Sequence, residues 1–92
     1  MLRIYKITDY AIVVLLDLYS TSPEDLHSAR AISERTLVPK ATVAKVLKLL
    51  QKSELVLGHR GLCGGYNLTH KPEEISLLRI IEAIEGPIAL TT

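Results

Sequence analysis

The sequence predicts a mainly α-helical domain completed by a small two-stranded antiparallel hairpin. Three observations lead there. Residues 40–53 place Val43, Val46, Leu47 and Leu50 at the i, i+3, i+4, i+7 spacing of one helix face. Two short strand-like segments, 55–60 and 66–69, flank the glycine-rich stretch Gly61-Leu62-Cys63-Gly64-Gly65, which reads as a hairpin with a five-residue loop. Finally, 92 residues with 48% hydrophobic and 23% charged side chains suit one globular domain over 1–92 and exclude disorder as the main state.

Each element has a local rationale. Thr8 is a plausible N-cap, with Asp9 in the first turn where its charge suits the helix dipole, for a helix over about 9–19. That helix is apolar nearly all round, so it should be the central core helix or part of a subunit contact. Ser20, Thr21, Ser22 and Pro23 end it. Ser28 caps a short second helix over 29–36, and Pro39 suits the first position of a third helix, because its missing N–H would be unpaired there. Opposite the apolar stripe of that third helix lie Ala41, Lys45, Lys48 and Lys52. Ser76 caps a fourth helix over 77–85, with Ile75 and Ile80 as a hydrophobic staple and Leu77, Ile80, Ile81 and Ile84 as its buried stripe. Gly86 and Pro87 stop it, leaving an apolar tail over 88–92.

The net charge of +1 hides a segregation. Arg3 and Lys6 against four carboxylates leave residues 1–25 at −2, whereas eight Lys and Arg against Glu34 and Glu54 leave residues 26–71 at +6. Arg79 against four glutamates leaves residues 72–92 at −3. A basic middle between acidic ends points to an anionic partner. The single cysteine, Cys63, excludes an internal disulfide and an all-cysteine metal site within one chain, and the histidines lack ligand spacing. The longest apolar run, residues 10–16, is far short of the about 20 that a membrane helix needs, so a soluble, cytoplasmic protein is expected.

The order helix, short helix, turn, basic-faced helix, two-stranded wing is that of a winged helix-turn-helix. In that design the second helix of the pair enters the major groove of DNA, whose width of about 12 Å admits an α-helix. Thr42 and Lys45 are positioned for base edges, and Lys40, Lys48 and Lys52 for phosphates. Arg60 at the wing base suits a phosphate or base edge. Gly61, Gly64 and Gly65 allow backbone N–H groups close to phosphates. Ser28, Pro39, Ala41, His59 and Tyr66 complete the candidate contacts. A phosphate-binding loop is excluded, because Gly61 to Gly65 opens a strand and no lysine follows. Catalysis by Cys63 with His59 or His70 is not expected, because a wing tip has no shell to hold such a pair. The alternative function is a winged-helix protein–protein interaction module without DNA binding, in which the lysine face is passive.

Four stretches carry a family resemblance: Ile4-Tyr5-Lys6-Ile7-Thr8-Asp9-Tyr10-Ala11, Ala31-Ile32-Ser33-Glu34-Arg35, His59-Arg60-Gly61-Leu62-Cys63-Gly64-Gly65-Tyr66, and Ile84-Glu85-Gly86-Pro87-Ile88-Ala89-Leu90. The sequence resembles the Rrf2 family of bacterial regulators over essentially its whole length. Residues 41–50 look most like the branch that regulates the SUF iron–sulfur assembly operon. The resemblance implies a homodimer on a palindromic promoter element, with residues 39–45 in the major groove and Arg60 in the adjacent groove. Some members carry Ser, Tyr and Glu along the start of this helix, where the stretch here is Pro39-Lys40-Ala41-Thr42-Val43-Ala44, so their operator does not transfer. Many members hold a [2Fe–2S] or [4Fe–4S] cluster through three cysteines that follow the equivalent of Thr92, ahead of a dimerisation helix. The 92 residues are therefore expected to be a truncated piece, or a cluster-free module, and to hold no cofactor themselves. Asp9 matches the acidic ligand of the nitric-oxide-sensing branch and is the one candidate cluster ligand, a weak one, since a first-turn helix acid accounts for it better.

Overall fold

The computed structural model describes residues 6–21, 25–61, 64–69 and 75–86. Four helices and one hairpin follow in the order α1 (Lys6–Thr21), α2 (Ala29–Thr36), α3 (Lys40–Lys52), β1 (Val56–His59), β2 (Gly65–Leu68) and α4 (Leu77–Glu85). The mainly helical class with a two-stranded antiparallel wing is as expected. Pro87, the 88–92 tail, Cys63 and the Ser22-Pro23 stop lie outside the described residues.

The core forms where the apolar stripes converge. Val43, Val46, Leu47 and Leu50 of α3 are fully buried against Ala11, Val14, Leu15 and Leu18 of α1, with Ile32 of α2, Leu55, Val56 and Ile80 closing the cluster. Burying side chains of this kind stabilises by roughly 1.5–3 kcal/mol each, which is what holds α2 and α3 in a helix-turn-helix. Helix α1 serves as the central core helix, yet Val13, Leu16 and Tyr19 remain exposed on its other side. An apolar groove between α1, β2 and α4, with a volume of about 120 Å³, is lined by Ile12, Leu15, Leu16, Tyr19, Leu68, Ile75 and Ile80.

Three expectations need correction. Thr8 is not an N-cap. It sits inside α1, fully buried, and its hydroxyl donates to the Glu85 carboxylate of α4. The helix already runs through Lys6 and Ile7, and that bond ties its first turns to α4, a partner that local sequence does not reveal. Pro39 is the N-cap rather than the first helical residue, with extended backbone (φ −54°, ψ 138°), and its carbonyl accepts the Val43 N–H at 2.9 Å. Leu77 is half exposed, because α4 turns Ile80 and Ile81 to the core instead.

The caps at Ser28 and Ser76 are as expected. Their hydroxyls accept the N–H of Ala31 at 3.0 Å and of Arg79 at 3.1 Å. Two non-glycine residues adopt left-handed backbone at helix ends: Leu37 after α2 (φ 65°) and Glu54 after α3 (φ 63°). After α3, the N–H groups of Leu55 and Glu54 return to the carbonyls of Leu50 and Gln51, a Schellman closure that aims the chain into the wing. In the turn between α2 and α3, the Ser33 hydroxyl donates to the Val38 carbonyl at 2.6 Å. Thr36 donates to Ile32 and accepts from the Val38 N–H. These two side chains satisfy the turn backbone and so help set the angle between the paired helices.

A candidate nucleic-acid interface

The antiparallel register pairs Val56 with Leu68 and His59 with Gly65. The hairpin gains a third element that periodicity alone does not show. Just before α2, His27 bridges Tyr66, with N–H to O distances of 2.9 and 2.8 Å in the two directions. Gly65 is what permits this approach. A Cβ there would lie 2.8 Å from the His27 backbone, closer than any real contact. Gly64 is equally constrained, since a Cβ would meet the His59 carbonyl at 2.4 Å. The demand for glycine at 64 and 65 therefore comes from the fold itself.

Charge is arranged around this scaffold. Arg35 of α2 clamps Asp17 of α1 bidentately, Nε at 3.0 Å from Oδ1 and Nη2 at 2.7 Å from Oδ2. Its Nη2 also lies 3.2 Å from Nδ1 of His27. A guanidinium has no acceptor, so the imidazole nitrogen accepts. Hydrogen bonding to Asp17 holds the Arg35 guanidinium above its ordinary value, outweighing partial burial. Arg30 makes an exposed pair with Glu34 at 3.7 Å. Two arginines of the basic middle are thus already neutralised. Lys40, Lys45, Lys48 and Lys52 on α3, and Arg60 in the wing, form no ion pair among the described residues.

Arg60 borders the same cleft as Gln51 of α3, which brings the wing to that helix. Lys40, Ala41, Lys45 and Lys48 are exposed along α3, and Thr42 is half-buried at the edge of that face. His59, Arg60 and Gly61 are exposed at the wing; Gly64 and Tyr66 are half-buried, and Gly65 is buried beneath His27. His59 is steadied by Asn67, its Nε2 lying 3.1 Å from the amide oxygen. Ser28 is exposed but already engaged as the α2 cap. Between the C-terminal half of α3 and the wing lies a polar cleft of about 260 Å³, lined by Gln51, Gly58, His59, Arg60, Gly65 and Tyr66. Gln51, absent from the sequence-derived set, rests over Gly58, where an added Cβ would meet its amide at 3.0 Å. No local signal marks it, and only the wing's return brings it to the cleft.

Residues 4–92 match the Rrf2 family, described as an iron-dependent transcriptional regulator. The chain belongs to the Rrf2 family. A helix-turn-helix transcriptional regulator of Synechocystis is 37% identical over 76 residues, covering 83% of this chain and 52% of that protein. The regulator NsrR of Oceanobacillus iheyensis is 32% identical over 89 residues, 97% of this chain and 60% of that protein. Among solved structures, CymR of Bacillus subtilis, named as its global cysteine regulator, superposes with a TM-score of 0.84 at 28% identity, over 96% of this chain and 68% of that one. The chain thus spans only 52% and 60% of the length of these two relatives. The Rrf2 family is one of transcriptional regulators rather than enzymes, in line with the expectation of no catalytic role.

For the iron–sulfur cluster that the family resemblance implies, the described residues show no assembled ligand set. Asp9 is exposed on α1, and no group of three or more His, Cys, Asp or Glu comes together among the described residues. Nor is any helix among them long and apolar enough to cross a membrane.

Proposed function

We propose that this chain is a sequence-specific DNA-binding module of a transcriptional regulator. On this reading α3 enters the major groove through Pro39, Lys40, Ala41, Thr42 and Lys45. Lys48 and Lys52 follow the phosphates, and Arg60 with His59 and Gly61 engages the neighbouring backbone or minor groove. The observation that supports it is the separation of charges: among the described residues the four lysines of α3 and Arg60 of the wing are exposed and form no ion pair, while the arginines of α2 meet carboxylates. Gly64, Gly65 and Tyr66 hold the wing in register, and Ser28 places the N-terminus of α2 toward a phosphate. The likeness of residues 41–50 to the SUF branch favours genes of iron–sulfur cluster assembly or related stress responses as targets. The exposed apolar residues of α1 beside the α1–β2–α4 groove favour a homodimer, and with it a palindromic element. A cytoplasmic location follows from that role.

The test is fluorescence anisotropy on duplexes enriched from a random pool, repeated across salt concentrations. Phosphate contacts from Lys40, Lys48, Lys52 and Arg60 should give a log–log salt slope of about −3.5 per chain. Arg60→Ala should weaken binding while leaving the melting temperature within about 2 °C, because Arg60 is exposed. A flat salt dependence would favour the protein–protein alternative.

A further inference from the structure

The cleft between α3 and the wing owes part of its room to Gly58. The three atoms nearest a Cβ at that position would all belong to the Gln51 amide, at 3.0 to 3.3 Å. The amide therefore lies over a stretch of strand that carries no side chain. Register places Tyr66 opposite Gly58, and strand alternation places Arg60, two residues on, on the same face as Gly58. By the same alternation His59 belongs to the other face, where its ring meets Asn67. The six residues that line the cleft include one guanidinium, one amide and no carboxylate. Both Gln51 and Arg60 are exposed, and their side chains form no hydrogen bond or ion pair among the described residues. Amide and guanidinium N–H groups offered to one space suit an anion with several acceptor oxygens.

Size and position narrow the choice of anion. At about 260 Å³ the cleft is smaller than the roughly 300 Å³ at which sites for whole small-molecule ligands begin. It suits one charged group of a larger molecule. Gln51 lies about 9 Å along α3 from Lys45, at 1.5 Å per residue, and three residues after Lys48, its neighbour on the helix surface. The cleft thus continues the line of phosphate contacts that begins at Lys48.

We propose that this cleft seats one phosphodiester group of the DNA backbone, the Gln51 amide donating to one oxygen and the Arg60 guanidinium pairing with the charge. This inference rests on the DNA-binding reading above. It adds Gln51 to the contacts and, of the two open to Arg60, selects the backbone.

The experiment is a methylphosphonate scan of the duplex enriched from a random pool, in which each phosphate is made neutral in turn. Binding is measured for the unmodified chain and for Gln51→Ala, Gln51→Glu, Gly58→Ala and Arg60→Ala. One phosphate per half-site should be sensitive, with a loss of roughly tenfold, as for a hydrogen bond to a charged group. That sensitivity should shrink toward onefold in the Gln51 and Arg60 variants. In Gly58→Ala the added methyl displaces only the flexible amide, so the same loss should appear without a change at Gln51 itself. Gln51→Ala should keep the salt slope, because an amide carries no charge, whereas Gln51→Glu and Arg60→Ala should each reduce it by about one phosphate's worth. If Gln51→Ala binds with unchanged affinity and an unchanged scan, the inference fails and DNA binding stands. A phosphate coupled to Arg60 but not to Gln51 would also overturn the shared seat. Competition by inorganic phosphate that needs Gln51, with no backbone position coupled to it, would assign the cleft to a free anion instead. Failure to enrich any duplex would overturn the DNA-binding reading and this inference together.

Discussion

Replacing Asp17 by Asn tests how α2 is held in place. Asp17 accepts two hydrogen bonds from Arg35, and its side chain is 10% exposed against 34% for Arg35. Hydrogen bonds to charged groups contribute about 1.5–3 kcal/mol, but the third of Arg35 open to solvent screens part of that. Asn retains one acceptor, so a loss of about 1–2 kcal/mol is expected. For a domain of this size, that is roughly 4–8 °C in Tm per kcal/mol. Thermal and urea unfolding at a fixed protein concentration would measure it. The double-mutant cycle with Arg35→Gln should return a coupling of about 1 kcal/mol. Because Arg35 also contacts His27, whose backbone pairs with Tyr66, both single variants should speed amide exchange at Tyr66. The DNA side of the test is a contrast: Arg35→Gln should leave the salt slope unchanged, whereas Lys48→Gln should reduce it by about one phosphate's worth. Single effects that add within about 0.3 kcal/mol, or a slope that falls with Arg35→Gln, would refute the claim that this charge is already spent within the fold.

Three further outcomes are expected. Leu37→Gly should stabilise the domain by about 0.5–1 kcal/mol, since Leu37 is exposed at φ 65° and pays the left-handed penalty; a lower Tm would show that its side chain holds something. Gly65→Ala should cost about 1–3 kcal/mol by forcing His27 away from Tyr66, read as lost protection of the Tyr66 N–H in hydrogen exchange. Thr8→Val, near in shape but without the hydroxyl, should destabilise by about 1–3 kcal/mol by removing the donor to Glu85; an unchanged urea midpoint would rule out a structural role for that bond.

Much of this architecture was legible because its causes are local. The α3 stripe, the Ser28 and Ser76 caps and the Gly86 stop each depend on residues within a few positions, and each was found where expected. The lysine face needed only the helical period. Apart from Pro39, whose capping bond to Val43 is local, the misplaced features depend on partners that the local sequence does not reveal. Thr8 reads as a cap until Glu85, 77 residues away, is brought against it. Gly64 and Gly65 read as openings for phosphate until the His59 carbonyl and the His27 backbone fill the space. Asp17 and Arg35 entered the charge count in segments of opposite sign, with nothing local to pair them, and Gln51 carried no sequence signal.

The residue order alone was enough for the helices, the basic face and the wing, because periodicity, capping chemistry and glycine placement act over one or two turns, while the regulator family came from the resemblance of four stretches. Which charges remain free for a partner was decided only by the tertiary structure. Packing α1 against α2 sets Asp17 2.7 Å from Arg35 and cancels that pair, while the outward face of α3 and Arg60 meet no carboxylate among the described residues. Opposite charges neutralise one another only within a few ångströms, and that proximity is a property of the fold rather than of the chain.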